Sequence, residues 1–183
     1  MTATRATIDP PRGGRPALCD GESLYPIREL CDHVQAEGHE PLKGCLYRLR
    51  LTMLVVADAH AARHPELGRA LAVFARFAAD LEAHLAEEEH VVFPLVERLD
   101  EGGPGGDVLG RLASLEAAHG RLGEALDELR ALTDGYTAPA DACVTYQGLM
   151  ADLRAFEAGF RATVAEEREV LFPRAARLAR RVR

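Results

Sequence analysis

Apolar side chains return at every third or fourth position through four long stretches of this chain, the spacing of helices that each bury one face. The first stretch covers residues 23–62, with Ile27, Leu30, Cys31 and Val34 followed by Leu42, Cys45, Leu46, Leu49, Met53 and Val56. Ser23 suits its N-cap and Pro26 its first turn. Gly38 and Pro41 weaken the middle and predict a short helix followed by a longer one. His64-Pro65 marks the break to a second stretch, residues 65–98, where Leu67, Leu71, Phe74, Phe77, Ala78, Leu81, His84, Leu85, Glu88 and Val91 share a stripe. Phe93-Pro94 predicts a kink near its end. Glu101-Gly-Gly-Pro-Gly-Gly106 is the clearest loop. A third helix follows over residues 107–133, with Asp107 as N-cap and Leu109, Leu112, Leu115, His119, Leu122, Leu126 and Leu129 on its stripe. After a loop at 134–141, a fourth runs over residues 142–180. Four helices joined by short loops predict an all-α, up-down-up-down four-helix bundle.

Composition supports that outline and narrows the partners. At 183 residues the chain is long enough for one domain with its own core. It has no Trp and is rich in helix-forming residues. Residues 1–22 lack an apolar segment and are expected to be a flexible leader, leaving 23–183 for the bundle. No run of 18 apolar residues exists, so no membrane span is expected. A net charge of -7 provides no field to attract phosphates, which disfavours nucleic acid. The Arg-rich end, Arg174 to Arg183, suits a helix C-terminus. Cys19, Cys31, Cys45 and Cys143 form neither a CxxC pair nor a disulfide framework and are expected as free thiols in a reducing cytoplasm. Cys143, beside Val144 in an apolar run, is expected to fill the core.

The candidate chemistry lies in a phrase that occurs twice. His84-Leu-Ala-Glu-Glu-Glu-His-Val-Val-Phe-Pro-Leu-Val-Glu-Arg-Leu99 returns as Thr163-Val-Ala-Glu-Glu-Arg-Glu-Val-Leu-Phe-Pro-Arg-Ala-Ala-Arg-Leu178, with eight of sixteen positions identical. Residues i and i+4 share a helix face, so His84 and Glu88 point together, as do Thr163 and Glu167. A His and a carboxylate from one helix, met by a carboxylate from another, are how bundles hold metal ions. With a rise of about 1.5 Å per residue, His84 lies about 30 Å and His39 about 37 Å from the turn at His64, a mismatch of roughly one helical turn. His60 lies only about 6 Å from that turn and does not share their level.

Each piece alone has a plainer explanation. His119 on an apolar stripe is ordinarily a hydrogen-bonded core residue, Glu87-Glu88-Glu89 a solvated acidic face, and Phe93-Pro94 a terminator. His33, His64 and His90 are expected at the surface or behind the site. Together the pieces favour metal, because Glu88 buried opposite Glu167 would repel it without a cation.

The ordered set His39-Glu-Pro-Leu, His84-x-x-x-Glu88-Glu-x-x-Val-Phe-Pro, His119 and Glu167-x-x-x-Leu-Phe-Pro resembles the hemerythrin-like (HHE cation-binding) proteins. Within them it is nearest to the di-iron "repair of iron centres" group, which acts in iron–sulfur cluster repair after nitrosative and oxidative stress. The resemblance runs from about Ile27 to Arg177 and includes Leu132-Thr133 and Pro139-Ala140-x-Ala-Cys143. It implies two irons, with His39, His84 and His119 as terminal ligands and Glu88 and Glu167 as bridges. It implies a functional His at His60, which the height argument makes a channel or supporting residue instead. The sequence departs from the group at Thr163, where a fourth-helix His is expected. A Thr hydroxyl is a poor iron ligand, and Glu166, one position before Glu167, faces elsewhere. One metal position should therefore be open to water, weakly occupied or empty. The group's N-terminal domain with adjacent cysteines also has no counterpart, since Cys19 stands alone, so thiol-linked delivery of iron or electrons is not expected.

Two functions follow. One is a non-haem di-iron or mono-iron protein that binds O2 or NO, or supplies iron to damaged iron–sulfur proteins; imidazole and carboxylate ligands suit it. The other is a bundle that has lost its metal and acts as an interaction or regulatory module, which Thr163 favours. A thiol stress sensor built on Cys19 has less behind it. Hydrolytic and nucleotide-dependent chemistry is disfavoured, because no Ser-His-Asp elbow, P-loop or dinucleotide fingerprint occurs.

Overall fold

The computed structural model describes residues 26–181, and among them every regular element is helical. Helix α1 (27–60) joins Ile27–His33, a π-helical stretch Val34–His39, and Glu40–His60. Helix α2 (66–100) joins Glu66–Glu87, a π-helical stretch Glu88–Val92, and Phe93–Asp100. Helix α3 is Val108–Leu132, and α4 (144–181) joins Val144–Glu166, a π-helical stretch Glu167–Leu171, and Phe172–Arg181. Consecutive helices pack side by side, and α4 closes the ring against α1. The result is the expected up-down-up-down bundle. None of the described helices is long and apolar enough to cross a membrane.

The prolines do not break these helices; they widen them. Pro94 has no N–H to give and its ring crowds the carbonyl one turn back. In response the Phe93 N–H bonds the Glu88 carbonyl, five residues earlier. Phe172 does the same to Glu167 before Pro173, and Glu40 to Gln35 before Pro41. The expected short-then-long pair at Gly38 and Pro41 is thus one continuous helix with a wide turn. Its expected cap, Ser23, lies outside the described residues. Asp107 does cap α3, accepting a hydrogen bond from the Gly110 N–H at 3.1 Å.

Two apolar clusters fill the bundle. The larger is built from residues such as Leu46, Met53, Phe74, Phe77, Leu126, Phe156 and Phe160. Phe77 meets Phe156 and Phe160 edge-on, each at 5.8 Å between ring centres. Such pairs contribute on the order of 1 kcal/mol each beyond their burial. The smaller cluster gathers Ile27, Val34, Val92, Phe93, Leu115, Leu171 and Phe172. Between them every helix carries polar residues at one level: His39 on α1, His84 and Glu88 on α2, His119 on α3, Thr163 and Glu167 on α4, all buried.

Cys143 departs from expectation. It is exposed, and Val144 beside it is 74% exposed. Cys143 occupies the N-cap of α4 at the tip of the bundle, before the helical stripe begins, so it has no core to face.

Candidate metal centre

Each wide turn is placed at a polar residue of this layer. His39 ends the first π-helical stretch, while Glu88 and Glu167 begin the other two. Single π turns inside α-helices recur at functional sites because they re-aim side chains without ending the helix. Here they also bring the phenyl rings of both Phe-Pro pairs under imidazoles. Phe93 stacks on His39 at 5.7 Å and Phe172 lies flat on His119 at 5.6 Å, with ring planes 2° apart in the second pair.

The structure brings together five of the residues singled out by sequence. One donor atom from each of His84, Glu88, His119 and Glu167 lies within 4.8 Å of the other three. His39 joins them, its Nε2 3.0 Å from Glu167 Oε1 and 3.4 Å from Glu88 Oε2. His84 Nε2 is 3.3 Å from Glu88 Oε2, and His119 Nε2 is 3.0 Å from Glu167 Oε2. The last contact is close but is not directed as a hydrogen bond.

The layer's electrostatics suit a cation. Neither Glu88 oxygen has a hydrogen-bond partner, and the residue has no accessible surface. Burial, and then the charges of Glu167 and Glu89, push the Glu88 carboxyl well above the ordinary range. Burial opposes ionisation of Glu167 too, but the neighbouring imidazoles of His119 and His39 hold it below the usual value. Burial and the neighbouring His119 push His84 down to about 4. Glu157 provides the comparison. It is also buried, yet Arg130 and Arg161 both donate to it. Glu88 has no such guanidinium, and an unpaired buried carboxylate is expensive. A divalent ion would satisfy its oxygens together with the lone Nε2 of His119, and mixed imidazole and carboxylate donors suit iron among such ions.

Support for His39 comes from residues the sequence did not single out. Glu89 Oε1 accepts from His39 Nδ1 at 2.8 Å, and Lys43 Nζ donates to Glu89 Oε2 at 2.7 Å. Burial disfavours the charged form of Glu89, but Lys43 and His39 hold its pKa below the usual value. A carboxylate behind a ligating imidazole fixes its tautomer and leaves Nε2 free for metal. The run Glu87-Glu88-Glu89 taken alone suggests a solvated acidic face, which the buried carboxylate of Glu89 does not join. The available signal was Lys43, which lies one helical turn after His39 on the same face.

The remaining candidates fall elsewhere. Thr163 is in the layer, but its hydroxyl donates to the Gly159 carbonyl at 3.2 Å and its methyl packs on Gly38. Glu166 faces outward and meets His33 at 3.3 Å. His64 bridges Glu66 and Asp141, and His90 is exposed. His60 is at the opposite end of α1, against Cys143, His64 and Tyr146.

Comparison with known proteins agrees with the helical bundle fold. The family model for the hemerythrin HHE cation binding domain matches residues 33–175. The chain is 27% identical over 151 residues to the iron-sulfur cluster repair protein YtfE of Citrobacter koseri, covering 82% of this chain and 66% of that protein. Its counterpart from Edwardsiella ictaluri is 32% identical over the same coverage, and one from Escherichia coli 26%. The match thus spans just under two-thirds of the length of these curated relatives.

Proposed function

Because the chain belongs to the hemerythrin HHE cation-binding family, we propose that its buried polar layer holds iron and that the protein serves in cytoplasmic repair of iron–sulfur clusters under nitrosative or oxidative stress. The names of its relatives support the second half of that reading. The observation that carries the first half is Glu88, a fully buried carboxylate whose oxygens have no hydrogen-bond donor.

His39, His84 and His119 are the imidazole ligands in this reading, and Glu88 and Glu167 the shared carboxylates. The donors of His84, Glu88, His119 and Glu167 already converge and serve one ion. Only His39 remains for a second, because Thr163 spends its hydroxyl on its own helix. The first iron is therefore held tightly and the second loosely. Bound iron supplies the ligand-exchange and redox chemistry, whether it takes up O2 or NO or passes to a damaged cluster. The protein's part is to keep Nε2 of His39 aimed inward through Glu89 and to exclude bulk water with the two apolar clusters.

Iron per chain, measured on protein from iron-supplied cells, tests the reading. Glu88→Ala and Glu167→Ala should each lose most of the iron, and full retention in both overturns it. Nearly two irons in the unaltered protein means that Thr163 is tolerated, and about one places the loss at the His39 side. No iron, with the helices intact, favours the second reading: a metal-depleted bundle acting as an interaction or regulatory module, for which Thr163 is the observation.

A further inference from the structure

His60 and Cys143 meet at the tip of the bundle, about 30 Å along α1 from His39 and so separate from the metal layer. Cys143 Sγ is 3.3 Å from His60 Nε2. The two residues differ sharply in exposure. The Cys143 residue is open to solvent, whereas His60 is 6% exposed and its Nδ1 is buried without a partner. Among the described residues the thiol is thus the one hydrogen-bonding partner of a buried imidazole whose ring packs on Tyr146, edge-on at 5.2 Å, and on His64 at 6.1 Å.

Cys143 is also the N-cap of the long helix Val144–Glu166, whose first turn carries no acidic residue. The imidazole at hydrogen-bond distance places a base within reach of the thiol proton. The charged groups nearby are already engaged with one another. Asp141 holds His64 at 3.0 Å and Arg63 at 3.2 Å, and Glu66 holds the other His64 nitrogen at 2.9 Å. The other described thiols lack this setting. Burial pushes Cys31 up to about 12, and Cys45 is half-buried against the larger apolar cluster with the Arg48 guanidinium donating to it.

We propose that Cys143, paired with His60, is a reactive thiol that undergoes exchange with low-molecular-weight disulfides of the glutathione class. His60 Nε2 accepts the thiol proton, and Sγ attacks one sulfur of the disulfide. A new S–S bond forms at Cys143 while the original S–S bond breaks. The departing thiolate takes up the proton and leaves as a thiol. The disulfide is the oxidant, and no other co-reactant is needed. The exposure of Cys143 gives the disulfide its path, and the buried His60 behind it gives the proton a place to go.

The test is exchange of the full-length chain with glutathione disulfide across pH 5.5 to 9.5, with each cysteine-containing peptide quantified by mass spectrometry. The adduct should form at Cys143 about tenfold faster than at Cys45 near neutral pH, because Cys143 is exposed and has an imidazole within reach. His60→Gln should slow Cys143 by about tenfold near neutral pH, with Cys45 unchanged. A Cys143 profile in the unaltered protein that tracks Cys45 overturns the proposal without any variant. Equal Cys143 rates with and without His60 overturn it as well.

Discussion

Thr163 and Gly38 are in such close contact that a Cβ built on Gly38 would lie 2.7 Å from the Thr163 Cγ2. Gly38 directly precedes His39, so the residue standing at one expected ligand position packs beside the residue that leads into another proposed ligand. The missing His and the neighbouring glycine are one local arrangement of α1 and α4.

Thr163→His should raise iron from about one to nearly two per chain, because an imidazole in this layer is a far better iron ligand than a hydroxyl already bonded to Gly159. The larger side chain has to displace around Gly38, so a loss of about 1–3 kcal/mol in the metal-free form should accompany the gain. Iron analysis and chemical denaturation on the same samples check both halves. Unchanged iron in a folded variant would mean that the position does not face the metal.

Glu89→Gln should weaken iron retention about 10- to 100-fold with little change in helical content, since it removes the charge that orients His39. Lys43→Met should act in the same direction and less strongly, through Glu89. Competition with a chelator of known affinity reads the effect. Retention equal to that of the unaltered protein in both variants contradicts the role given to Glu89.

Glu88→Gln should separate stability from function. The amide keeps the shape but removes a buried negative charge beside Glu167, so the metal-free chain should melt about 2–4 °C higher, equivalent to about 1 kcal/mol. The same change should eliminate tight iron binding. A lower melting temperature in the metal-free variant would show that Glu88 is satisfied without metal.

Stability against pH has a definite sign in the metal-free chain. Glu88 has a raised folded-state pKa, so its contribution is full below the unfolded value of about 4.3 and is lost as pH rises toward the folded one. His84 runs the other way: pushed down to about 4, it costs stability as pH falls from about 6.5 to about 4. Above about pH 6.5 His84 is neutral in both states, and His64, raised by Asp141 and Glu66, is common to the iron-loaded and metal-free forms, so the Glu88 penalty should make calorimetry find a wider gap between their melting temperatures at pH 8 than at pH 6.5. A gap that narrows over that window rules this assignment out.

Much of this protein was legible in its sequence because helices have a fixed period and a fixed rise. Period placed the four helices and their buried stripes, and rise put His39 near the level of His84 and kept His60 away. Composition was enough to predict an all-α chain, and the repeated Glu-x-x-x-x-Phe-Pro phrase marked the two carboxylates that the fold brings together. What the one-dimensional pattern could not decide was direction and company. An α-helical wheel turns Glu89 about 100° away from Glu88 and names no partner for it, but in the wide turn that begins at Glu88 it meets His39 and Lys43. Pro41 and Pro94 reduce helix propensity locally, yet neighbouring helices held the chain together, and a wider turn was less costly than an end. Cys143 lies among apolar letters but comes before the stripe begins, so it faces solvent and His60. Spacing along one helix is local geometry and can be counted. Which side chain is met across the bundle depends on how four helices rotate to bury their stripes together, and that is fixed only in the packed state.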